Sequence, residues 1–202
     1  VEQPTDLNNI EFETKYNTKP DDLIQFKMLA ETCKVNRFAY VEGPDDYYVR
    51  PGTDDFKRHR YASFQPEEGR QEVTTKVKPK GAKNNNIRKE LNWRVDKTPK
   101  EVIREQILDE GYEYNFTVWK MCHIYDLDDA TLVFYTVVDK TPGTKHNERH
   151  FIEIEVNEEI IGTLKEEEAW GIIERYEKLL TPIGIHAQKR IRKSLYEMYV
   201  RR

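Results

Sequence analysis

The 202-residue sequence predicts an α+β fold: a closed or nearly closed antiparallel β-barrel of about eight strands, with helices packed outside. Three observations lead there. Short segments alternate charged and apolar residues with the period of two that separates the faces of a strand. Turn chemistry recurs between them, and there is no 20–50-residue repeat. Their polar faces also carry both signs of charge, which calls for a wet, ligand-holding interior rather than an ordinary packed core.

Glu11-Phe12-Glu13-Thr14-Lys15 opens the pattern, with Glu11, Glu13 and Lys15 on one face and Ile10, Phe12, Thr14 and Tyr16 on the other. Lys19-Pro20-Asp21-Asp22 starts a helix with a stripe of Leu23, Phe26, Leu29/Ala30 and Cys33, and the aspartates suit its positive end. Arg37–Val41 reads as a strand, Gly43-Pro44-Asp45-Asp46 as a turn, and Tyr47-Tyr48-Val49 as a further short strand before Pro51-Gly52. Phe56–Ser63 puts Arg58 and Arg60 together. Val73–Lys80 groups Thr74, Lys76 and Lys78, and Ile87–Val95 sets Arg88, Glu90, Asn92 and Arg94 against Leu91, Trp93 and Val95.

Thr98 as cap, Pro99 at the first helical position and Glu101 in a capping box predict a helix through Val102, Ile103 and Ile107, stopped at Gly111. Strands follow over Tyr114–Tyr125 and Thr131–Val138. Phe151–Val156 then repeats the opening pattern, with Glu153 and Glu155 opposite Ile152, Ile154 and Val156. A helix from about Lys165 to Leu180 ends at Thr181-Pro182, and a last amphipathic segment covers Ile185–Val200.

Charged residues make up 35% of the chain, yet 12 Tyr, 8 Phe and 3 Trp supply the core of one domain over residues 1–202. A formal net charge of −4 argues against a sequence-independent grip on nucleic acid or an acidic membrane. No apolar run reaches the roughly 18–20 residues of a membrane span. The first residues, Val-Glu-Gln-Pro-Thr-Asp, lack signal-peptide character. Cys33 and Cys122 have no zinc-type spacing and read as reduced thiols. A cytoplasmic protein without a membrane partner, monomeric or homodimeric, is expected.

The polar faces define the chemistry. Glu11, Glu13, Glu90, Glu153 and Glu155 offer hard oxygen ligands suited to Mg²⁺ or Mn²⁺. Lys15, Arg58, Arg60, Lys76, Lys78, Arg88 and Lys120 suit the oxygens of a polyphosphate. An anion of several phosphates with one or two divalent ions neutralises both sets. The histidines show no metal spacing, and Trp93, Trp119 and Trp170 read as packing anchors.

The order of these motifs resembles the CYTH superfamily, the triphosphate tunnel metalloenzymes that include class IV adenylyl cyclases and thiamine triphosphatases. Glu11-Phe12-Glu13-Thr14-Lys15 matches the family's Glu-x-Glu-x-Lys opening. Arg58-His59-Arg60 resembles its Arg-x-Arg strand, Thr75-Lys76-Val77-Lys78 its basic strand and Arg88-Lys89-Glu90 its Arg-x-Glu strand. Lys120 falls on the later basic strand, and Phe151–Glu155 looks like the late Glu-x-Glu strand. The resemblance implies metal-dependent hydrolysis of a triphosphate (inorganic, nucleoside or other organic) inside the barrel. Glu11, Glu13, Lys15, Glu153 and Glu155 would be catalytic, and the glutamates, with Glu90, would hold metal. Arg58, Arg60, Lys76, Lys78, Arg88 and Lys120 would clamp phosphate. Lys15 either contacts phosphate or restrains the glutamates. Many members carry an arginine where this chain has Cys122, so Arg190 and Arg192 are candidate replacements. ATP cyclisation and RNA 5′-triphosphate hydrolysis are the alternative activities, and a polyphosphate- or nucleotide-binding module is the non-enzyme alternative.

Overall fold

Nine antiparallel strands join in one sheet in the computed structural model, which describes residues 6–61, 63–65, 71–77 and 87–202, with side chains at 10–61, 71–76 and 90–202. They are β1 (Asp6–Asn17), β2 (Arg37–Val49), β3 (Phe56–Arg60), β4 (Ser63–Gln65), β5 (Glu72–Val77), β6 (Ile87–Arg94), β7 (Glu113–Asp126), β8 (Ala130–Asp139) and β9 (Glu148–Val156). The order is β3-β5-β6-β1-β9-β8-β7-β2-β4, and β3 also pairs with β2. The sheet therefore curls back on itself, with Asp45 opposite Arg60 and Tyr47 opposite Arg58. The helices are α1 (Leu23–Glu31), α2 (Lys100–Asp109), α3 (Glu158–Ile161), α4 (Glu166–Leu179) and α5 (Leu195–Tyr199). Among the described residues no helix is long and apolar enough to cross a membrane.

Four local expectations change. Gly43-Pro44 is not a turn, because β2 runs straight through it. One edge of β2 pairs with β4 at Tyr40–Glu42 and with β3 at Asp45–Val49. Gly43-Pro44 lies in the gap between these partners, the place where a residue without an N–H does least harm. The segment predicted as one strand from Phe56 accordingly divides into β3 and β4. In α2, Pro99 caps instead of occupying the first turn, since its carbonyl already accepts from the N–H groups of Val102 and Ile103 at 3.0 and 3.2 Å. The closing amphipathic segment is not one helix either. A 3₁₀ turn at Ala187–Lys189 leads to Ile191, whose N–H donates to the Lys15 carbonyl at 2.7 Å, and then to Ser194, which caps α5. Short α3, which has no counterpart in the sequence reading, sits directly after β9.

The largest part of the core lies outside the curl. Phe12, Tyr16, Phe134, Ile152 and Ile154 project from β1, β8 and β9 against Phe26 of α1 and Ile173 of α4. Phe12 meets Trp170 edge to face at 4.9 Å. A smaller cluster joins α2, through Ile103 and Ile107, to Tyr48 and Val73. A further apolar cluster brings Tyr47, Phe56, Phe116 and Val118 together with Leu195 and Tyr196 of α5. Stacking of Phe56 on Tyr196 at 4.1 Å fixes that C-terminal segment against the sheet.

Candidate functional site

The inner face of the sheet surrounds a cavity of about 350 Å³. Strand alternation sends to it Glu11, Glu13 and Lys15 from β1, Glu153 and Glu155 from β9, and Arg58 and Arg60 from β3. Lys76 of β5, Glu90 of β6 and Lys120 of β7 complete the set. Most of the predicted charged faces thus converge. Both sides of β1 are withdrawn from water: Phe12 is 1% exposed on the outside and Glu11 7% on the inside.

One pole is acidic. β1 and β9 pair so that Glu13 lies opposite Glu155, and Lys15 opposite Glu153. Like charges directly across a ladder are destabilising. Burial, reinforced by Glu11 and Glu153, pushes the Glu13 carboxyl up to about 8. Glu155 goes well above the carboxylate range for the same reasons, with Glu11, Glu13 and Glu153 around it. The neighbours escape this through cations. Burial opposes ionisation of Glu11, but Lys76 Nζ lies 2.7 Å from both its oxygens and holds the carboxyl below its ordinary value. Burial likewise opposes ionisation of Glu153. Lys15 at 3.5 Å, the charge of Lys120, and hydrogen bonds from Glu13 and the Tyr135 hydroxyl still bring it down to about 2. Glu90 accepts from Arg58 at 3.1 Å and lies 4.0 Å from Lys76.

The donor set suits a hard divalent cation, because only a cation would let Glu13 and Glu155 ionise side by side. The side chains are not gathered round a common point, however. Among the described residues no three or more His, Cys, Asp or Glu groups are arranged to hold an ion. Glu11 is drawn to Lys76 instead, and Glu153 to Lys15 and Tyr135.

The other pole is cationic. Arg58 Nη2 donates to Glu90 and to Thr74 Oγ1, both at 3.1 Å, with Glu72 at 3.9 Å, while its buried Nε–H has no hydrogen-bond partner among the described residues. Arg60 is clasped by Asp45, with Nε and Nη2 each 2.8 Å from a carboxylate oxygen. Lys120 stands opposite Gly43, an arrangement that places no side chain across from it on β2. Among the described residues it has no ion-pair partner, and its ammonium lies 4.6 Å from the Tyr135 ring centre. Burial pushes that ammonium below its ordinary value. Cys122 lines the same wall, its thiol pushed up by burial, so it adds no charge where an arginine was expected.

Arg190 and Arg192 do not join the cavity lining. Arg190 pairs with Glu177 of α4 and lies over the Trp170 ring at 4.5 Å, because Ile191 is pinned to β1 and turns Arg190 toward the outer helices. Arg192 is exposed. Lys78 falls outside the described residues. Arg88 is described in backbone only, in register with Glu11. Sequence reasoning missed Asp45, Glu72, Tyr135 and Glu158, all of which line the cavity. Gly43, Asp45 and Tyr47 do alternate with the strand period, but their turn-like composition hid it. Tyr135 sits in an otherwise apolar strand, and Glu158 on α3 carries no periodic signal.

Solved structures share this architecture. A Pyrococcus horikoshii protein, PH1819, aligns with a TM-score of 0.64 at 24% identity over 93% of this chain and 97% of its own. A chain of the Schizosaccharomyces pombe Mediator head module gives 0.60 at 12% identity, over 86% and 95%. A Vibrio parahaemolyticus protein proposed to be an adenylate cyclase gives 0.58 at 20% identity, over 95% and 98%. At these identities the likeness defines the fold alone. No protein-family model matches the chain, and no curated protein does.

Proposed function

We propose that the chain is a metal-dependent triphosphatase working inside the curled sheet. One observation carries this reading: a single cavity is lined both by carboxylates, Glu13 facing Glu155 with Glu11 and Glu153 beside them, and by the cations Arg58, Arg60 and Lys120. A barrel built only for stability gains nothing from such an interior, since each unpaired buried charge costs several kcal/mol. The motif order of the CYTH superfamily and the fold shared with a proposed adenylate cyclase support the same class.

Glu11, Glu13, Glu153 and Glu155 would hold Mg²⁺ or Mn²⁺, with Glu90 steadying Arg58 and Lys76. A bound divalent ion supplies charge neutralisation and polarises a phosphoryl oxygen. The chain's own contribution is positioning and charge stabilisation, which is most of what phosphoryl transfer asks of a protein. Lys120, Arg58 and Arg60 meet the phosphate chain, and Lys15 restrains Glu153. The apolar residues Tyr47, Phe56, Leu195 and Tyr196 also line the cavity.

The test is phosphate release from inorganic triphosphate, ATP, thiamine triphosphate and 5′-triphosphate RNA, with Mg²⁺ or Mn²⁺ and with chelator. Metal-dependent release from at least one is expected. Cyclic AMP with pyrophosphate would replace hydrolysis by cyclisation, and tight binding without release from any would leave a binding module.

A further inference from the structure

We propose that Asp45 is a positioning residue for the cationic pole, holding Arg60 by one edge so that the other end of its guanidinium meets the substrate phosphate. The inference rests on the lumen being a triphosphate site. Asp45 lies opposite Arg60 across β2–β3 and opposite Val118 across β2–β7, and is 1% exposed. Both its oxygens are engaged, Oδ1 by Nε and Oδ2 by Nη2, each at 2.8 Å. That fork-to-fork contact fixes the plane of the guanidinium as well as its place. Among the described residues the Nη1 end has no hydrogen-bond partner, which leaves it for another acceptor. The pair is also asymmetric, with side-chain exposures of 25% for Arg60 and 1% for Asp45. The carboxylate is sealed into the wall while the cation reaches the cavity.

Arg58, two residues earlier on the same face, is held the opposite way. Glu90 and Thr74 take its Nη2, and its Nε–H is buried with no hydrogen-bond partner among the described residues. Both arginines line one cavity, as does Lys120, which stands opposite Gly43. Asp45 decides which part of Arg60 faces the cavity.

The test is a mutant cycle on hydrolysis of inorganic triphosphate with Mn²⁺, using Asp45→Asn, Arg60→Gln and the double variant. Asp45→Asn is expected to raise KM about tenfold with a smaller change in kcat, and the double variant to match Arg60→Gln alone, since Asp45 acts through Arg60. A normal KM for Asp45→Asn, or effects that multiply in the double variant, would overturn the proposal. Should Asp45→Asn not fold, Asp45→Glu keeps the charge but shifts the fork, and the same KM-weighted rise is expected; a normal KM there overturns it. Calorimetric titration of the unmodified protein with triphosphate and Mn²⁺ separates the two claims. No binding there removes the triphosphatase reading and this proposal together, whereas binding with an indifferent Asp45 removes this proposal alone.

Discussion

The two faces of β1 are buried to nearly the same degree and do opposite work. Phe12 and Tyr16 sink into the core beneath α1 and α4, where removing apolar surface from water stabilises at about 25 cal/mol per Å². Glu11, Glu13 and Lys15 sink into the lumen, where burial opposes folding unless each charge finds a partner. Glu11 finds Lys76, and Glu153 finds Lys15. Glu13 and Glu155 find each other, and both are driven toward the protonated form. The largest apolar cluster thus holds the fold from the outside, while inside the lumen the charged walls must find partners beside the smaller cluster around Tyr196.

The largest test of that division is Glu13→Gln. Glutamine copies the protonated carboxyl that the metal-free lumen imposes, so the melting temperature without metal at pH 7 should hold or rise. Metal-dependent phosphate release should fall by on the order of 10²-fold or more. Full activity would remove Glu13 from the site. Next is Phe134→Ala on the outer face, where the ring is 2% exposed and packs on Phe26 at 5.6 Å. Denaturant unfolding should show a loss of about 3–5 kcal/mol, with KM unchanged wherever the variant is folded. A matching shift in KM would mean that core and lumen are not separable. The smallest effect is on pH. Glu13 has a folded value of about 8 against an ordinary 4.5, so the folded state holds the extra proton between them. Its contribution is complete below about pH 4.5 and is lost as pH rises through about 8. Metal-free melting temperatures should fall across that window, and Glu13→Gln should flatten the fall. An unchanged slope in that variant would show that Glu13 is not the group responsible.

Much of the lumen was legible in the chain because strand alternation is a local property. Once Phe12 and Tyr16 face the core, Glu11, Glu13 and Lys15 must face the other way, and the same holds for Glu153 and Glu155 against Ile152 and Ile154. Helix positions followed equally well from apolar spacing, as α1 and α4 show. What stayed hidden depended on partners distant in sequence.

Gly43-Pro44 has the composition of a turn, and only β7 on one side with β3 and β4 on the other make it strand. With that strand comes Asp45, and with Asp45 the edge of Arg60 that is left for a ligand. Arg190 was a candidate to replace the arginine missing at Cys122, but Ile191 bridging to β1 turns it onto Glu177. By itself the sequence determined which residues share a face and which chemistry that face carries, because side-chain direction follows backbone period. The tertiary structure alone decided which charges pair and which remain for a ligand, because pairing depends on ångström-scale distances between strands far apart in the chain.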